Sequence, residues 1–227
     1  MEIWRSNLRN LSFLGNLKTI DMSSSSEDRI IYIAENLQLK NLGLNSLKNL
    51  IPNKEGLWVV LAKNHPNFCI SLYELQLFID NGVYLSTDLK PKICNDWNLD
   101  DGKKICKFLN LEAIDTDCQY LVGNVTVNSK NEDLVWKLEN ISRIYGSIAV
   151  LSTKELLDLS FFANLEQVAN TDYGGFFLKE LEITATFRFQ HPSYSNQVQQ
   201  KTQNYFNAQY EAIVSILQRS DHSDQEQ

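Results

Sequence analysis

The sequence repeats a seven-residue phrase at two distant positions. LSFLGNL occupies residues 11–17 and LSFFANL occupies residues 159–165, so the copies begin 148 residues apart and agree at five of seven positions. The flanking apolar positions also correspond, with Ile20 after the first copy and Val168 after the second. Because matching apolar positions bury matching faces, the phrase predicts the same local structure twice, and therefore an internal duplication.

A shorter period runs inside each copy. A turn of the form Leu-x-x-apolar precedes a short apolar run, and the leading leucines recur after 30 residues (Leu17 to Leu47) and after 27 residues (Leu138 to Leu165). Such a period is typical of a solenoid, in which no coil buries its apolar face alone. We therefore predict a mainly β fold with short helices, a parallel β-helix or leucine-rich-like solenoid in two partial copies in series. Its parallel strands are expected near residues 29–34, 57–62, 123–127 and 147–151.

Asparagines crowd the predicted turns. Asn36, Asn41, Asn140 and Asn164 are examples. Asparagine suits bends because its short side chain bonds neighbouring backbone groups and tolerates left-handed conformations. Two interpretations stay open, a stacked asparagine ladder and separate solvated turn residues.

Charge and hydropathy exclude two classes of function. A formal net charge of -7, a pI near 5.0 and the absence of a Lys and Arg cluster argue against a nucleic-acid surface. No stretch approaches the roughly 18 consecutive apolar residues of a membrane span. The N-terminal sequence MEIWRSNLRN is polar and has no apolar signal-peptide core, which taken alone places the chain in the cytosol.

The sequence offers no constellation for catalysis, and we predict no catalytic, cofactor-binding or metal-binding residue. His65, His191 and His222 are scattered, without a nucleophile and an orienting acid at a recognised spacing. The acidic pairs at residues 100–101 and 132–133 are interpreted as solvated turns rather than as paired acid and base groups. A hydrolase built on a β-helix would need converging carboxylates, which the sequence does not offer.

Four cysteines lie in the middle of the chain, at Cys69, Cys94, Cys106 and Cys118, with spacings of 25, 12 and 12. No CxxC motif or paired histidine accompanies them, so a zinc site is disfavoured. The spacing alone leaves two interpretations open. The cysteines are either four buried free thiols or two disulfides, and disulfides require an oxidising compartment.

The second half carries a pattern that resembles a known family. Cys118 precedes a strand, a Gly-Asn strand follows at residues 123–127, and an L-x-x-I-x-x-I-x-G-x-I-x-V element is formed by Leu138, Ile141, Ile144, Gly146, Ile148 and Val150. This pattern resembles the opening of a receptor L domain, the ligand-binding module of the insulin and epidermal growth factor receptors. In the first half, LSFLGNLKTI and FCISLYEL resemble later coils of a preceding L domain. The chain therefore resembles a tandem L-domain protein that is truncated at both ends.

The resemblance implies a domain plan. Residues 1–80 are expected to be the C-terminal part of a first right-handed solenoid, 81–105 a cysteine-containing connector, and 106–188 the N-terminal part of a second solenoid. Residues 189–227 are expected to form a C-terminal helix and a disordered tail, with an apolar helical stripe at Phe206, Tyr210, Ile213 and Leu217. We expect this helix to stand free of the solenoid rather than to cap it.

The resemblance also implies a function. A non-enzymatic L-domain protein is expected to bind a protein or peptide ligand at the cell surface or outside the cell. The alternative is an intracellular leucine-rich-like scaffold for protein–protein interaction, and the state of the cysteines separates the two. The disulfides that the resemblance implies are Cys69–Cys94 and Cys106–Cys118.

Alternation along the strands divides them into a core face and an outer face. Val125, Val127, Ile148 and Val150 are expected to fill the core. The binding-face candidates are the alternate residues Asn124, Thr126, Ser147 and Ala149. N-x-S/T sequons make Asn10, Asn124 and Asn140 glycosylation candidates, at about the number that chance gives.

Overall fold

The computed structural model has a mainly β fold with a few short helices, in agreement with the predicted class. It describes residues 1–24, 30–54, 56–87, 92–99, 101–156, 158–169 and 176–177. These residues form two compact units, 1–102 and 103–169, and residues 176–177 belong with the first. The predicted C-terminal helix and tail lie outside the described residues.

Short strands build both units. The first unit contains β1 (Glu2–Trp4), β2 (Thr19–Asp21), β3 (Ile30–Ala34), β4 (Asn49–Ile51), β5 (Trp58–Ala62), β6 (Cys69–Ile70), helix α1 (Leu72–Asp80), β7 (Tyr84–Thr87) and β8 (Lys92–Ile93). The second contains β9 (Ile105–Lys107), β10 (Tyr120–Val122), β11 (Val125–Asn128), β12 (Arg143–Tyr145), β13 (Ile148–Leu151) and β14 (Gln167–Ala169). The short strand β15 (Phe176–Phe177) pairs with β7. Three 3₁₀ helices span Ser12–Leu14, Glu132–Leu138 and Ser160–Phe162.

Nearly all strand pairs are parallel. In the first unit β1, β3, β5 and β7 form one sheet in that order, with β15 antiparallel at its far edge, and β2–β4 and β6–β8 form two smaller parallel pairs. In the second unit β9, β10, β12 and β14 lie side by side, and β11 pairs with β13. The four predicted strands are β3, β5, β11 and β13, and the pairs β3–β5 and β11–β13 are parallel as predicted.

The repeated phrase adopts the same backbone structure in both copies. Each copy forms a one-turn 3₁₀ helix that opens with the same hydrogen bond, from Leu14 N–H to the Leu11 carbonyl at 2.8 Å and from Phe162 N–H to the Leu159 carbonyl at 2.9 Å. A short parallel strand follows each helix, β2 in the first copy and β14 in the second. The duplication predicted from the letters is therefore a duplication of local structure.

A polar side chain caps the start of each 3₁₀ helix. The Asn10 Oδ1 accepts the Ser12 N–H at 3.1 Å, and the Asp158 Oδ1 accepts the Ser160 N–H at 2.9 Å. Hydrogen bonds from Ser160 stabilise the charged carboxylate, so the pKa of Asp158 lies below its usual value. Asparagine and aspartate are thus equivalent in the two copies, because the side-chain oxygen of each accepts the N–H of the residue two positions later.

The corners between repeats are held by the main chain. The Lys18 carbonyl accepts two consecutive N–H groups from the next repeat, those of Lys48 and Asn49, at 2.9 and 3.1 Å. The same double acceptance, at 2.8 to 3.4 Å, occurs in the second unit at the carbonyls of Lys104, Gln119 and Ser142. Backbone groups therefore make the main contacts between one repeat and the next at these corners, and the Ser142 hydroxyl adds a bond to the Gln119 carbonyl at 3.4 Å.

A buried polar ladder closes the ends of β1, β3 and β5. Asn36 Oδ1 accepts the N–H and hydroxyl of Ser6 at 2.9 and 2.7 Å, and Asn36 Nδ2 donates to the Ile3 carbonyl at 2.9 Å. Asn64 Oδ1 accepts the Asn36 N–H at 3.2 Å, and Asn64 Nδ2 donates to the Ile33 carbonyl at 2.9 Å. Asn36 is fully buried, so the ladder interpretation is correct for this asparagine. Asn64 was not among the asparagines singled out from the sequence.

The predicted step of 27 residues in the second half is wrong. β12 and β14 pair with Arg143 opposite Gln167, a step of 24 residues (167 minus 143). The pattern of two apolar residues three positions apart fits at Leu138 and again at Ile141. Ile141 is the residue equivalent to Leu165, because the N–H of each donates to the carbonyl of the residue three positions before it. In the first half the predicted step of 30 agrees with the β2–β4 register.

The segment interpreted as a connector, residues 81–105, carries strands of the first unit. β7 extends the main sheet as the parallel partner of β5, and β8 pairs with β6. Both strands are short, and the Leu-x-x-apolar letters before β7, Leu75 to Phe78, lie in helix α1 rather than in a turn. Helix α1 was also not predicted, although Ser71 and Glu74 form a capping box with reciprocal side-chain bonds that the S-x-x-E spacing could have revealed.

The core of the second unit matches the predicted alternation. Val125, Val127, Ile148 and Val150 are buried, as expected for the inward positions of β11 and β13. Gly123 and Gly146 stack beside them, and a Cβ added to Gly146 would lie 2.6 Å from the carbonyl carbon of Gly123. Only glycine allows the two backbones to approach so closely.

Candidate ligand-binding face

The outer side of the β1–β3–β5–β7 sheet presents large apolar and aromatic side chains. Along β3 and β5 alternate residues point into the core, and Ile31, Ile33, Val59 and Leu61 are at most 3% exposed. The residues between them point outward, and Ile30 and Trp58 remain 46% and 39% exposed. We call this surface the outer face; its members are Glu2, Trp4, Ile30, Tyr32, Trp58, Val60, Tyr84 and Ser86.

Strand register arranges the outer face in rows. Ile30 lies opposite Trp58, and Trp58 lies opposite Tyr84, so these three side chains form one row across three strands. Strands are spaced by about 4.8 Å, so the row spans about 10 Å. The Trp58 and Tyr84 rings stack with centroids 4.9 Å apart and planes 27° apart. Trp58 and Tyr84 therefore form a stacked aromatic pair on the outer face, with Ile30 beside it.

Charged residues border the outer face where the strands end. Arg5, Glu35 and Lys63 follow β1, β3 and β5 directly, and all three adopt positive φ, at 51°, 56° and 51°. The Arg5 guanidinium bonds the Glu35 carboxylate at 2.7 Å, and Lys63 approaches its other oxygen at 3.6 Å. Arg5 also lies over the Trp4 ring at 4.7 Å. We call these three residues the charged rim.

The charged rim carries two cations around one carboxylate. The hydrogen bond and charge of Arg5, with a smaller contribution from Lys63, hold the pKa of Glu35 below its usual value. The carboxylate is therefore ionised at neutral pH, and the rim keeps one net positive charge. The Arg5 and Lys63 side chains are 66% and 69% exposed, so their charges remain accessible to a partner.

The binding-face candidates chosen from the sequence lie on β11 and β13 or directly before them. The structure brings them together in pairs, because Thr126 lies opposite Ala149 and the Asn124 Oδ1 accepts the Ser147 N–H at 3.0 Å. Asn124 is exposed and the other three are half-buried. These side chains are small, whereas the outer face of the first unit offers aromatic anchors that sequence reasoning missed. The available signal was that β3 and β5 are apolar at every position, so that whichever alternate set faces outward is apolar.

Disulfides join all four cysteines. The structure contains Cys69–Cys94 and Cys106–Cys118, with Cα separations of 5.1 and 5.9 Å, which are the two pairs expected from the resemblance. Both separations lie in the range that a disulfide requires. The first bond joins the start of β6 to the residue after β8, and the second joins β9 to the segment before β10.

Acidic side chains meet at one point in the described part of the second unit. Asp115 and Asp117 flank the Lys104 ammonium at 3.0 and 2.7 Å, and these bonds raise the pKa of Lys104. The nearby Cys118 sulfur is held in a disulfide and is not available as a metal ligand. The pair Glu132–Asp133 is not simply solvated, because the Glu132 carboxylate accepts the N–H groups of residues 154–156 at 2.9 to 3.2 Å.

The three histidines singled out from the sequence lie either in a turn or beyond the described residues. The His65 Nδ1 accepts the Asn67 N–H at 2.9 Å within a turn, and His191 and His222 lie beyond the described residues. Within the ranges that the structure describes, no helix is both long and apolar enough to span a membrane.

Parallel strand ladders, two disulfides and an exposed aromatic sheet face define a mainly β repeat protein of the kind that the sequence pattern resembles. The family model of the receptor L domain matches residues 1–80 and 117–176. The chain belongs to the receptor L domain family.

A curated relative supports this assignment. The protein irld-34 of Caenorhabditis elegans is 31% identical over 184 residues, and the alignment covers 74% of this chain and 44% of the relative. The chain thus spans less than half the length of the relative that it matches. No solved structure matches it.

Proposed function

We propose that this chain is a non-enzymatic recognition module that binds a protein or peptide ligand outside the cell or at its surface. The observation that carries the proposal is the outer face, where aromatic and aliphatic side chains stay exposed on a rigid parallel sheet. Trp4 is 52% exposed and Ile30 is 46% exposed, although burial is the usual fate of such side chains. Contiguous exposed apolar residues of this kind mark interaction sites, and Trp and Tyr dominate the binding energy of protein interfaces.

Each unit forms, in this proposal, a partial solenoid whose repeats are parallel coils. Across the main sheet the partner residues advance by 30, 28 and 26 positions, from Glu2 to Tyr32, Val60 and Ser86. Such steps leave room for the corner and turn segments between strands, as in a coil with one sheet strand per turn. The stacking makes the face stiff, so a ligand meets a surface that is already ordered and the cost of ordering it on binding is small.

The disulfides support an extracellular role over the alternative of an intracellular scaffold. Disulfides persist in oxidising compartments and are rare where thiols are kept reduced. Because Cys118 is fully buried, the Cys106–Cys118 bond is built into the core of the second unit. Mass spectrometry after alkylation without reductant tests this point, and the extracellular proposal expects no alkylated cysteine in protein secreted by eukaryotic cells.

The binding proposal is tested with a peptide selected against the full chain from a random displayed library. Affinity of that labelled peptide is measured by fluorescence anisotropy for the wild type, for Trp4→Ala and for Trp58→Ala. Loss of an aromatic anchor is expected to weaken binding by about tenfold or more, because a hot-spot residue contributes about 2 kcal/mol or more and about 1.4 kcal/mol is a factor of ten.

Phe13→Ala is the matched control, since Phe13 is 64% exposed but lies on a 3₁₀ helix and not on a strand of the outer face. The control is expected to bind within about twofold of wild type, and circular dichroism verifies that each variant is folded. Peptides that bind both tryptophan variants as tightly as wild type would show that the outer face is not the site. Equal weakening by Phe13→Ala would lead to the same conclusion.

A further inference from the structure

The structure separates the three N-x-S/T sequons, which the sequence treats as equivalent. A glycan occupies the side-chain Nδ2 and remains there in the folded protein, so the question is what each asparagine amide does in that state. Asn124 and Asn140 are exposed and Asn10 is half-buried, so exposure alone does not favour Asn10. The three amides differ in their hydrogen bonds.

The Asn10 amide is held through its oxygen. The Ser12 N–H and the Ser12 hydroxyl both donate to Asn10 Oδ1, at 3.1 and 2.7 Å. Two donors on one atom fix which end of the amide is oxygen and which is nitrogen. Nδ2 is therefore the end of the Asn10 amide that takes no part in these two bonds. Ser12 is exposed, so asparagine and hydroxyl form one compact unit at the surface.

The Asn140 amide uses the nitrogen that a glycan would occupy. Its Nδ2 donates to the Thr116 carbonyl of the preceding repeat at 2.9 Å. The third residue of this sequon is also committed, because the Ser142 N–H bonds the Gln119 carbonyl at 2.8 Å. A glycan at Asn140 would perturb a contact between repeats.

The Asn124 sequon lies at the closest approach of two repeats. Asn124 Oδ1 accepts the Ser147 N–H at 3.0 Å, and a Cβ on Gly146 would lie 3.0 Å from the same oxygen. Thr126 is in the middle of β11, paired with Ala149. Extended backbone separates Asn124 from the Thr126 hydroxyl, unlike the bent sequon at Asn10.

We propose that Asn10 carries an N-linked glycan in the folded, secreted protein and that Asn124 and Asn140 stay unmodified. This inference rests on the proposed extracellular role. The donor is a lipid diphosphate-linked oligosaccharide. Asn10 Nδ2 forms the bond to the sugar C1, the bond from C1 to the diphosphate oxygen breaks, the lipid diphosphate leaves with the electron pair, and Nδ2 gives up one proton.

The duplication supplies a matched control inside the same chain. Asp158, Leu159 and Ser160 repeat the geometry of Asn10, Leu11 and Ser12, with Asp158 Oδ1 accepting the Ser160 N–H at 2.9 Å. Asn10→Asp therefore keeps the side-chain oxygen that accepts the Ser12 N–H and removes the nitrogen to which a glycan would be attached. Asp158→Asn creates a second sequon on the equivalent turn of the second copy, and the number of glycans per chain is expected to change from one to two.

The experiment is secretion of the full chain from eukaryotic cells behind an added signal peptide. Enzymatic deglycosylation in heavy-oxygen water, followed by peptide mass spectrometry, marks each occupied asparagine. The wild type is expected to show the mark at residue 10 only, Asn10→Asp none, and Asp158→Asn two.

A mark at Asn124 or Asn140 in secreted wild type, or none at Asn10, overturns the proposal. An unmodified Asp158→Asn chain overturns the argument from turn geometry. The wild-type map depends on no variant that might fail to fold. The added signal peptide supplies the compartment, so failure at Asn10 leaves the peptide-binding test of the outer face unaffected.

Discussion

Replacing Gly146 with alanine places one methyl group between two stacked backbones. The new Cβ would lie 2.6 Å from the Gly123 carbonyl carbon, about 0.8 Å inside the 3.4 Å at which ordinary contact begins (3.4 minus 2.6). Neither backbone can rotate away as a side chain would. The repeats must separate locally, and they are joined there by the Gly123 N–H to Tyr145 carbonyl bond at 3.0 Å and the Val125 N–H to Ser147 carbonyl bond at 2.8 Å.

The cost follows from these contacts. Overpacking a tight site costs about 1–3 kcal/mol. Weakening two backbone hydrogen bonds adds about 1 kcal/mol each. We therefore expect a loss of about 3–5 kcal/mol in the free energy of unfolding of the second unit. A unit of this size has a total stability of about 3–10 kcal/mol, so the variant is expected to lose much of the unit's folded population.

Urea unfolding followed by circular dichroism measures the loss, and amide hydrogen exchange assigns it to the second unit. With a urea dependence of about 1–2 kcal/mol per molar for a small unit, the midpoint is expected to fall by about 1.5 M or more. Gly15→Ala is the control, because Gly15 has φ -59° and ψ -12° and the equivalent residue of the second copy is Ala163 at φ -59° and ψ -25°.

The control variant is expected to stay within about 1 kcal/mol of wild type, since alanine reduces the entropy of the unfolded chain while its Cβ would lie 3.0 Å from the Ser12 carbonyl oxygen. A Gly146→Ala midpoint within about 0.3 M of wild type would refute the reasoning, because it would correspond to less than about 1 kcal/mol. The stacked glycines would then not limit the approach of the repeats.

Three further predictions concern the ladder, the charged rim and a disulfide. Asn36→Ala is expected to cost about 3 kcal/mol in urea unfolding, because it leaves buried polar partners unsatisfied. The pKa of Glu35 is lowered on folding, so the ion pairs of Glu35 stabilise the protein above pH 4.5, the ordinary pKa of the group, and this stabilisation is lost as the pH falls below 4.5. The thermal midpoint of wild type is therefore expected to fall more steeply below pH 4.5 than the thermal midpoint of Glu35→Gln. Replacing both Cys106 and Cys118 with serine removes a crosslink across 12 residues and is expected to cost about 3 kcal/mol in urea unfolding.

Each of these predictions has an outcome that contradicts it. Asn49→Ala is the control for the ladder, because its exposed side chain makes a 3.3 Å bond to Thr19 Oγ1; equal losses for the two asparagines would contradict the ladder argument. Parallel acid profiles for wild type and Glu35→Gln would show that the rim contributes nothing to folding. A cysteine double variant as stable as wild type would mean that the crosslink does not restrict the unfolded chain.

The sequence predicted what depends on local chemistry. The repeated 3₁₀ turn, the strands β3 and β5, and the inward valines of β11 all follow from letters within a few residues of each other. Each is fixed by short-range hydrogen bonds or by the alternation of a strand. The L-domain resemblance supplied the cysteine pairing, which spacing alone left open.

The outer face escaped prediction because it depends on register between distant segments. Ile30 and Ile31 are both apolar, and hydropathy does not tell which of them points outward; 28 residues of chain separate Ile30 from its neighbour Trp58. The role of Asn64 was hidden for the same reason, since its partners Asn36 and Ile33 belong to the preceding repeat. Contacts between repeats join residues that are far apart in the sequence, so they can be predicted from a single sequence only when the number of residues per repeat is correct. The predicted number for the second half was wrong.

The main-chain corners have a consequence for how this fold varies among relatives. Lysine, glutamine and serine occupy the same corner role at Lys18, Lys104, Gln119 and Ser142, because only the carbonyl takes part in the bond. A substitution that changes only the side chain at Lys18 or Gln119 is therefore expected to disturb the fold less than a Cβ added at Gly146. The stacked glycines are therefore expected to be a better guide than the corner residues for aligning distant members of the family.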